Sequence, residues 1–130
     1  MNHRISASVA LVVLLAAVTA SAHHNMSALF DFNQRFTRTG TMTKLDWRNP
    51  HSYITVEAKN DQGQAETWQF EGPAPNVFRL LNVGKTDFEN ALNKTVTVEA
   101  SRARDGSLTG LMRILTFPDG QVVSLCPQNC

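Results

Sequence analysis

The sequence predicts an all-β protein with one short helix, a five-stranded small barrel resembling the OB fold with the element order β-β-β-α-β-β. Three observations predict it. Apolar and polar residues alternate over several short stretches, which is the period of a half-buried strand. Short segments containing Asn, Asp or Gly separate these stretches, as in hairpins. A Gly-Pro-Ala-Pro segment at residues 72–75 opens a helical pattern, so the helix falls between the third and fourth strands, as in OB folds.

The first three strands are predicted within residues 39–71 as a meander. The alternating residues are Thr41, Thr43, Leu45 and Trp47 in the first strand, Ile54, Val56 and Ala58 in the second, and Trp68 and Phe70 in the third. Residues 59–64 carry Asn, Asp and Gly, which supply the positive φ angles of a hairpin. Residues 25–38 have no clean period, and we expect them to lie across the barrel surface.

The second half begins with the helix, for which Pro75 is well placed in the first turn and Gly84 at the end. Its predicted inward residues are Val77, Phe78, Leu80 and Leu81. The spacing of Thr86 and Glu89 is that of a capping box, which predicts a second brief helical turn over one mouth of the barrel.

The fourth strand is predicted to begin near Thr95, and an Asp105-Gly106 hairpin leads to a fifth strand over residues 108–117. Residues 122–125 are predicted as a short closing strand. Closure of the barrel would bury one shared apolar core, consisting of Val56, Trp68, Phe70, Val96 and Val98. The alternative is a small open roll with the helix packed across one face.

The amino terminus has the pattern of a cleaved secretory leader at residues 1–22. Arg4 provides the positive region, residues 7–18 are almost wholly apolar, and Ala20-Ser21-Ala22 fits the signal peptidase rule. The alternative is a single membrane anchor. We expect residues 23–130 to form one domain in the periplasm or outside the cell, without a membrane attachment after cleavage.

Composition and motifs exclude several function classes. Loss of Arg4 with the leader brings the basic residues from 12 to 11, equal to the 11 acidic residues, so no basic surface favours nucleic acid. The chain has neither a phosphate-binding glycine loop nor a recognisable catalytic serine motif. We therefore expect a binding protein and not an enzyme.

Cleavage after Ala22 would make His23 the first residue of the mature chain, followed by His24. A terminal histidine chelates a metal through its amine and Nδ1, and a further imidazole from His51 would complete a nitrogen set suited to Cu(II). Cleavage after Ala20 would instead create a Ser21-Ala22-His23 terminus, which also binds Cu(II) or Ni(II). Asp46 and Glu71 are the candidates for supporting acids. The alternatives are a polar flank at the terminus and a hydrogen-bonded turn histidine at residue 51.

A second hypothesis is a metal-independent module that binds an envelope protein, a peptide or a glycan. Its predicted surface residues are Trp47, Arg48, Asn49, Tyr53 and Trp68. An oxidative copper enzyme is a third reading, because a terminal histidine site can activate oxygen. At the carboxyl end, Cys126 and Cys130 are predicted to form a disulfide after export, with a Cys-x-x-x-Cys metal site as the alternative.

These features together resemble a domain-of-unknown-function family of small exported bacterial proteins. The resemblance rests on the leader, the His23-His24 start, Asn49-Pro50-His51, and the sequence segments at residues 39–41, 68–71, 96–98 and 104–106. Asn25 and Met26 depart from the usual continuation of the His-His start, and so does the cysteine tail. The resemblance implies export and a fold, and it carries no established activity.

Overall fold

The computed structural model describes residues 26–125. In that range it is mostly β, with six strands and three short helices. In chain order the elements are α1 (Met26–Leu29), β1 (Phe30–Asp46), β2 (Ser52–Lys59), β3 (Ala65–Gly72), α2 (Pro75–Leu80), α3 (Lys85–Ala91), β4 (Thr95–Ala103), β5 (Thr109–Thr116) and β6 (Val122–Ser124). The leader predicted for residues 1–22 lies outside the described residues.

The six strands form one sheet in the order β3-β2-β1-β4-β5-β6, and neighbours in this order are antiparallel. β3 also pairs with β5 in parallel, through Gln69 with Thr109, Phe70 with Gly110 and Glu71 with Leu111. The strand pairings therefore run from β1 through β2, β3, β5 and β4 back to β1. This cycle brings the carboxyl end of β3 beside the first half of β5.

The core lies on the inner face of this sheet. The five residues predicted to share the core are each at most 1% exposed, namely Val56, Trp68, Phe70, Val96 and Val98. Phe78 of α2 and Phe88 of α3 are equally buried, with ring centroids 5.0 Å apart in an edge-to-face arrangement. Both helices therefore cover the core.

β1 is longer than the sequence predicts, because residues 30–38 belong to this strand and do not lie across the surface as a separate segment. Two irregularities hide its period. Against β4, the register shifts between Asp31 and Arg35, and against β2 it shifts between Met42 and Lys44. An inserted residue reverses the face on which the residues before and after it alternate. One residue is inserted between Met42, which pairs with buried Val56, and Leu45, which pairs with buried Ile54. Met42 is therefore fully buried and Leu45 packs against the same core, whereas Thr41 and Thr43 are not part of the core.

The helices also differ from the prediction. α2 spans six residues, so it can bury only a narrow stripe, and among its predicted inward residues only Phe78 is buried. The other three are exposed, Val77 by 37%, Leu80 by 81% and Leu81 by 38%. Gly84 does not end this helix but precedes α3, and its N–H donates to Oδ2 of Asp87 at 2.7 Å. Asp87 therefore caps α3, in place of the predicted Thr86 and Glu89 pair.

Gly40 in the middle of β1 is required by close backbone contact. It pairs with Ala58 of β2 on one side and with Val96 of β4 on the other. A Cβ atom at this position would lie 2.9 Å from the Cα of Ala58 and closer still to the carbonyl oxygen of Glu57. Both of these atoms belong to backbone, which cannot rotate away.

We therefore expect Gly40→Ala to lower the free energy of unfolding by about 3 kcal/mol, the upper part of the range for inserting atoms into a packed site. The matched control is Gly63→Ala, at a turn position with φ of 79° and open space around it, where the positive φ alone costs about 1 kcal/mol. Urea unfolding of the metal-free protein measures both. Equal losses in the two variants would contradict the proposed backbone contact.

Candidate functional site

His51 lies between β1 and β2, directly after the cis Asn49–Pro50 peptide. The next residue, Ser52, begins β2, is 2% exposed, and donates its N–H to the carbonyl of Pro73 at 3.1 Å. The backbone on one side of His51 is thus fixed to the end of β3. The imidazole itself remains 39% exposed.

The imidazole contacts a buried carboxylate. Nδ1 of His51 lies 2.5 Å from Oε1 of Glu71, and the Glu71 side chain is only 11% exposed. Two bare acceptors would repel each other at this distance, so a proton lies between them and Nδ1 donates it to the carboxylate. The lone pair for any further ligand is therefore the one on Nε2.

A row of polar side chains crosses three strands beside this contact. Tyr53 of β2 pairs with Asp46 of β1 on one side and with Glu71 of β3 on the other. Arg48 lies over this row, with Nε 3.1 Å from Oδ2 of Asp46 and its guanidinium carbon 5.4 Å from the centre of the Tyr53 ring. Asp46 is thus neutralised by Arg48, whereas Glu71 faces His51 and Tyr53.

Burial raises the pKa of Tyr53 above its usual value of 10.0, and the negative charge of Glu71 raises this pKa further. The phenol therefore stays protonated at neutral pH and can donate to the Glu71 carboxylate. Glu71 thus faces two groups that can donate to it, the imidazole of His51 and the phenol of Tyr53.

A cavity of about 300 Å³ adjoins His51, and we call it the His51 pocket. Among the described residues, its lining comes from α1, the segment before β2, the end of β3 and the residue after it, β5, and the segment after β6. These residues are Met26, His51, Gly72, Pro73, Leu111, Met112, Arg113 and Leu125.

The remaining predicted ligands are not in this part of the chain. His23 and His24 lie outside the described residues, and so do Cys126 and Cys130. Across residues 26–125, no group of three or more His, Cys, Asp or Glu side chains is placed to hold a metal ion. That part of the chain offers one imidazole with its carboxylate partner.

The predicted binding surface is divided by the structure. Trp47, Arg48 and Asn49 line a groove of about 430 Å³ together with Pro75, Asn76 and Arg79, which we call the Trp47 groove. Tyr53 lies in the polar row instead. The prediction for Trp68 is wrong, because this side chain is fully buried and its Nε1 donates to Oε2 of Glu66 at 2.7 Å.

A comparison with protein-family models matches residues 10–113 to a family of unknown function, DUF6152. The chain belongs to this family. Comparisons with curated proteins and with solved structures gave no significant match. The DUF6152 assignment confirms the resemblance to a domain-of-unknown-function family and assigns no activity.

None of the helices that the structure describes in this DUF6152 member has both the length and the apolar character needed to cross a membrane.

The residues of the His51 pocket that sequence reasoning missed include Met112 and Arg113. They are adjacent on β5, yet both are buried, at 3% and 4% exposure, which strict alternation does not predict. Nε of Arg113 donates to Oγ of Ser101 at 2.9 Å, and its guanidinium carbon lies 4.5 Å from the centre of the Phe32 ring. Burial lowers the pKa of Arg113, and the nearby charge of Arg35 lowers it further.

The polar row can be tested through Tyr53, which is the only tyrosine in the sequence. We expect Glu71→Gln to lower the pKa of Tyr53 while leaving it above 10.0, because burial, the largest cause, persists. Since the pKa is raised in the folded state, the associated stability is present below pH 10 and is lost as pH rises through the raised pKa. Phenolate absorbance against pH measures the change.

The control for this titration is Glu57→Gln, which removes an exposed carboxylate from the same strand. It should leave the pKa of Tyr53 unchanged. A Tyr53 titration that is identical in the parent protein and in Glu71→Gln would show that Glu71 does not face the phenol.

Proposed function

We propose that this chain is an exported, non-enzymatic protein that binds Cu(II) through Nε2 of His51 and the amino-terminal histidines, His23 and His24. The observation that carries this proposal is the contact between Nδ1 of His51 and the buried carboxylate of Glu71. Histidines that bind metals commonly donate their second ring N–H to a carboxylate, which fixes the ring and raises the basicity of the ligating nitrogen.

The position of Met26 supports a shared site. Met26 lines the His51 pocket, and His24 precedes it by two residues in the sequence. Two residues span at most about 7 Å, so the chain is long enough to bring an imidazole to His51. Cleavage after Ala22 would add the free amine of His23 to the available nitrogen donors.

The donor chemistry favours copper. An amine and imidazoles form a nitrogen set that suits Cu(II), which prefers tetragonal nitrogen coordination. Glu71 supplies a negative charge that offsets part of the charge of the metal ion without binding it. Asp46, the other predicted supporting acid, pairs with Arg48 and not with His51, so its proposed effect on the metal site is weaker than that of Glu71.

We also infer that the sheet closes as a small barrel of the OB type, located in the periplasm or outside the cell. The cycle of pairings from β1 through β2, β3, β5 and β4 supports closure, and two short helices between β3 and β4 occupy the place of the OB-fold helix. Export is supported by the pattern of residues 1–22.

The copper proposal predicts that the mature protein, with His23 verified as its first residue by mass spectrometry, binds one Cu(II) more tightly than micromolar in calorimetry. We expect Glu71→Gln to weaken Cu(II) binding by about 10- to 100-fold, the usual effect of removing the partner of a metal-binding histidine. His51→Ala should weaken it by more, because this variant removes a ligand. Binding that is unaffected by His51→Ala would contradict the proposal.

Two controls separate ligation from general charge effects. Glu99→Gln removes a carboxylate that pairs with Arg35 at 3.0 Å on another part of the sheet, and it should leave Cu(II) affinity unchanged. Acetylation of the His23 amine removes the terminal chelate without adding a residue, and it should weaken Cu(II) binding in the presence of an intact His51.

The Trp47 groove favours a second candidate function, a metal-independent interaction module. Arg79 and Arg48 contribute two guanidinium groups to this groove, and Asn49 and Asn76 contribute two amides. Trp47 provides an aromatic wall that is held by Phe78 and Phe88, with ring centroids 5.3 and 5.1 Å away. Such a groove suits a peptide or glycan that carries hydrogen-bond acceptors.

For this second function, we expect the metal-free protein to retain a partner from the cell envelope, and Arg79→Ala to weaken that complex by about 2 kcal/mol, as for an arginine that dominates an interface. Arg79 is preferable to Trp47 as the test position, because truncation of Trp47 would disturb the core. The control is Lys44→Ala, a change at an exposed position of β1. An interaction that requires copper, or that Lys44→Ala weakens equally, would contradict this function.

A further inference from the structure

We infer that the His51 pocket binds Cu(I) through the thioether sulfurs of Met26 and Met112 together with Nε2 of His51. These three side chains line the same cavity of about 300 Å³. The inference rests on the proposed function in that His51 is shared by both sites. The Cu(I) site differs from the Cu(II) site in its other ligands, which are thioethers and not amino-terminal nitrogens. All three Cu(I) ligands lie among the residues that the structure describes.

The chemistry of the donors selects the oxidation state. Thioether sulfur is a soft, neutral ligand that favours Cu(I), and imidazole binds both oxidation states of copper. Two thioethers and one imidazole therefore favour Cu(I) over Cu(II), for which the amino-terminal nitrogen donors are the better set. His51 is a ligand in both sites. Cu(I) is bound by His51 and the two thioethers, and Cu(II) is bound by His51 and the amino-terminal nitrogen donors.

The side chain of Met112 lies beside the end of β3, the strand that carries Glu71. Its methyl carbon lies 3.6 Å from the position that a Cβ at Gly72 would occupy, and Gly72 directly follows Glu71. Gly72 pairs with Ser52 across β2 and β3, and Ser52 directly follows His51. The thioether end of Met112 therefore lies within contact distance of the Gly72 position, beside the backbone that holds the imidazole.

Charge also favours a monovalent ion. Arg113 lines the pocket and places a buried positive charge near the site, which repels a divalent ion more strongly than a monovalent one. Its guanidinium is engaged by Ser101 and by the face of Phe32. Glu71 adds a negative charge behind His51, so a Cu(I) ion held by three neutral donors creates little excess charge.

The test measures Cu(I) affinity of the full mature chain by anaerobic competition with a chromogenic Cu(I) chelator. All proteins carry Cys126→Ser and Cys130→Ser, because thiolates bind Cu(I) themselves. We expect Met26→Leu and Met112→Leu each to weaken Cu(I) binding by at least about tenfold. Loss of a residue that only supports a metal ligand already lowers metal affinity by about this factor, and loss of a ligand should lower it by more. Leu replaces Met with similar volume, so folding is retained and is checked by thermal melting.

The matched control is Met42→Leu. Met42 is fully buried in the main core and does not line the His51 pocket, so this variant should bind Cu(I) as tightly as the parent. Cu(I) affinity that is unchanged in Met26→Leu and Met112→Leu, or that falls equally in Met42→Leu, would overturn the inference.

A parallel Cu(II) titration distinguishes this inference from the proposed function. The methionine variants should keep the parent Cu(II) affinity, whereas His51→Ala should weaken binding of both ions. If Cu(II) binding depends on His51 and Cu(I) binding ignores both methionines, the inference is wrong and the proposed function stands. If Cu(I) binding depends on the methionines and on His51 while Cu(II) binding ignores His51, the inference stands and the proposed function is wrong.

Discussion

The burial of the Glu71 carboxylate is the constraint on which the site depends. An ionised carboxylate taken out of water must be paired or hydrogen-bonded, because its uncompensated burial is costly. At the end of β3, His51 and Tyr53 provide these partners. The contact between Glu71 and His51 affects both residues. It provides a partner for the buried carboxylate, and it orients the imidazole so that Nδ1 faces Glu71 and Nε2 faces away from it. The orientation of the His51 ring is thus a consequence of the burial of Glu71 at the end of β3.

The pairing of β3 with β5 explains both the burial of Glu71 and the composition of the adjoining pocket. Glu71 lies opposite Leu111 in this parallel pairing, so the following residue of each strand, Gly72 and Met112, also come together. Residues about 40 positions apart in the sequence therefore surround one imidazole. α1 and the segment after β6 complete the lining with Met26 and Leu125.

The strands with clear period two could be predicted from the sequence, and so could the buried face of β2, since alternation reports directly on a sheet with one buried face. The extent of β1 could not, because its two register shifts reverse the pattern within the strand. The exposure of Leu80 depends on the shortness of α2. Asp46 and Glu71 were both predictable as nearby acids, but only the register shows that Arg48 neutralises one and His51 contacts the other. Met112 and Arg113 line the pocket because β5 pairs with β3. This pairing is between strands far apart in the sequence, so no local sequence pattern predicts it.

The most direct test of this account is the tautomer of His51 in the metal-free mature protein. A long-range proton–nitrogen NMR spectrum of the imidazole groups distinguishes a protonated from a bare ring nitrogen, and the His51 signals are assigned by their loss in His51→Asn. The account predicts a neutral ring with the proton on Nδ1, facing Glu71, and an unprotonated Nε2. A ring protonated on Nε2, with a bare Nδ1, would contradict it, because the nitrogen proposed to bind copper would then carry the proton.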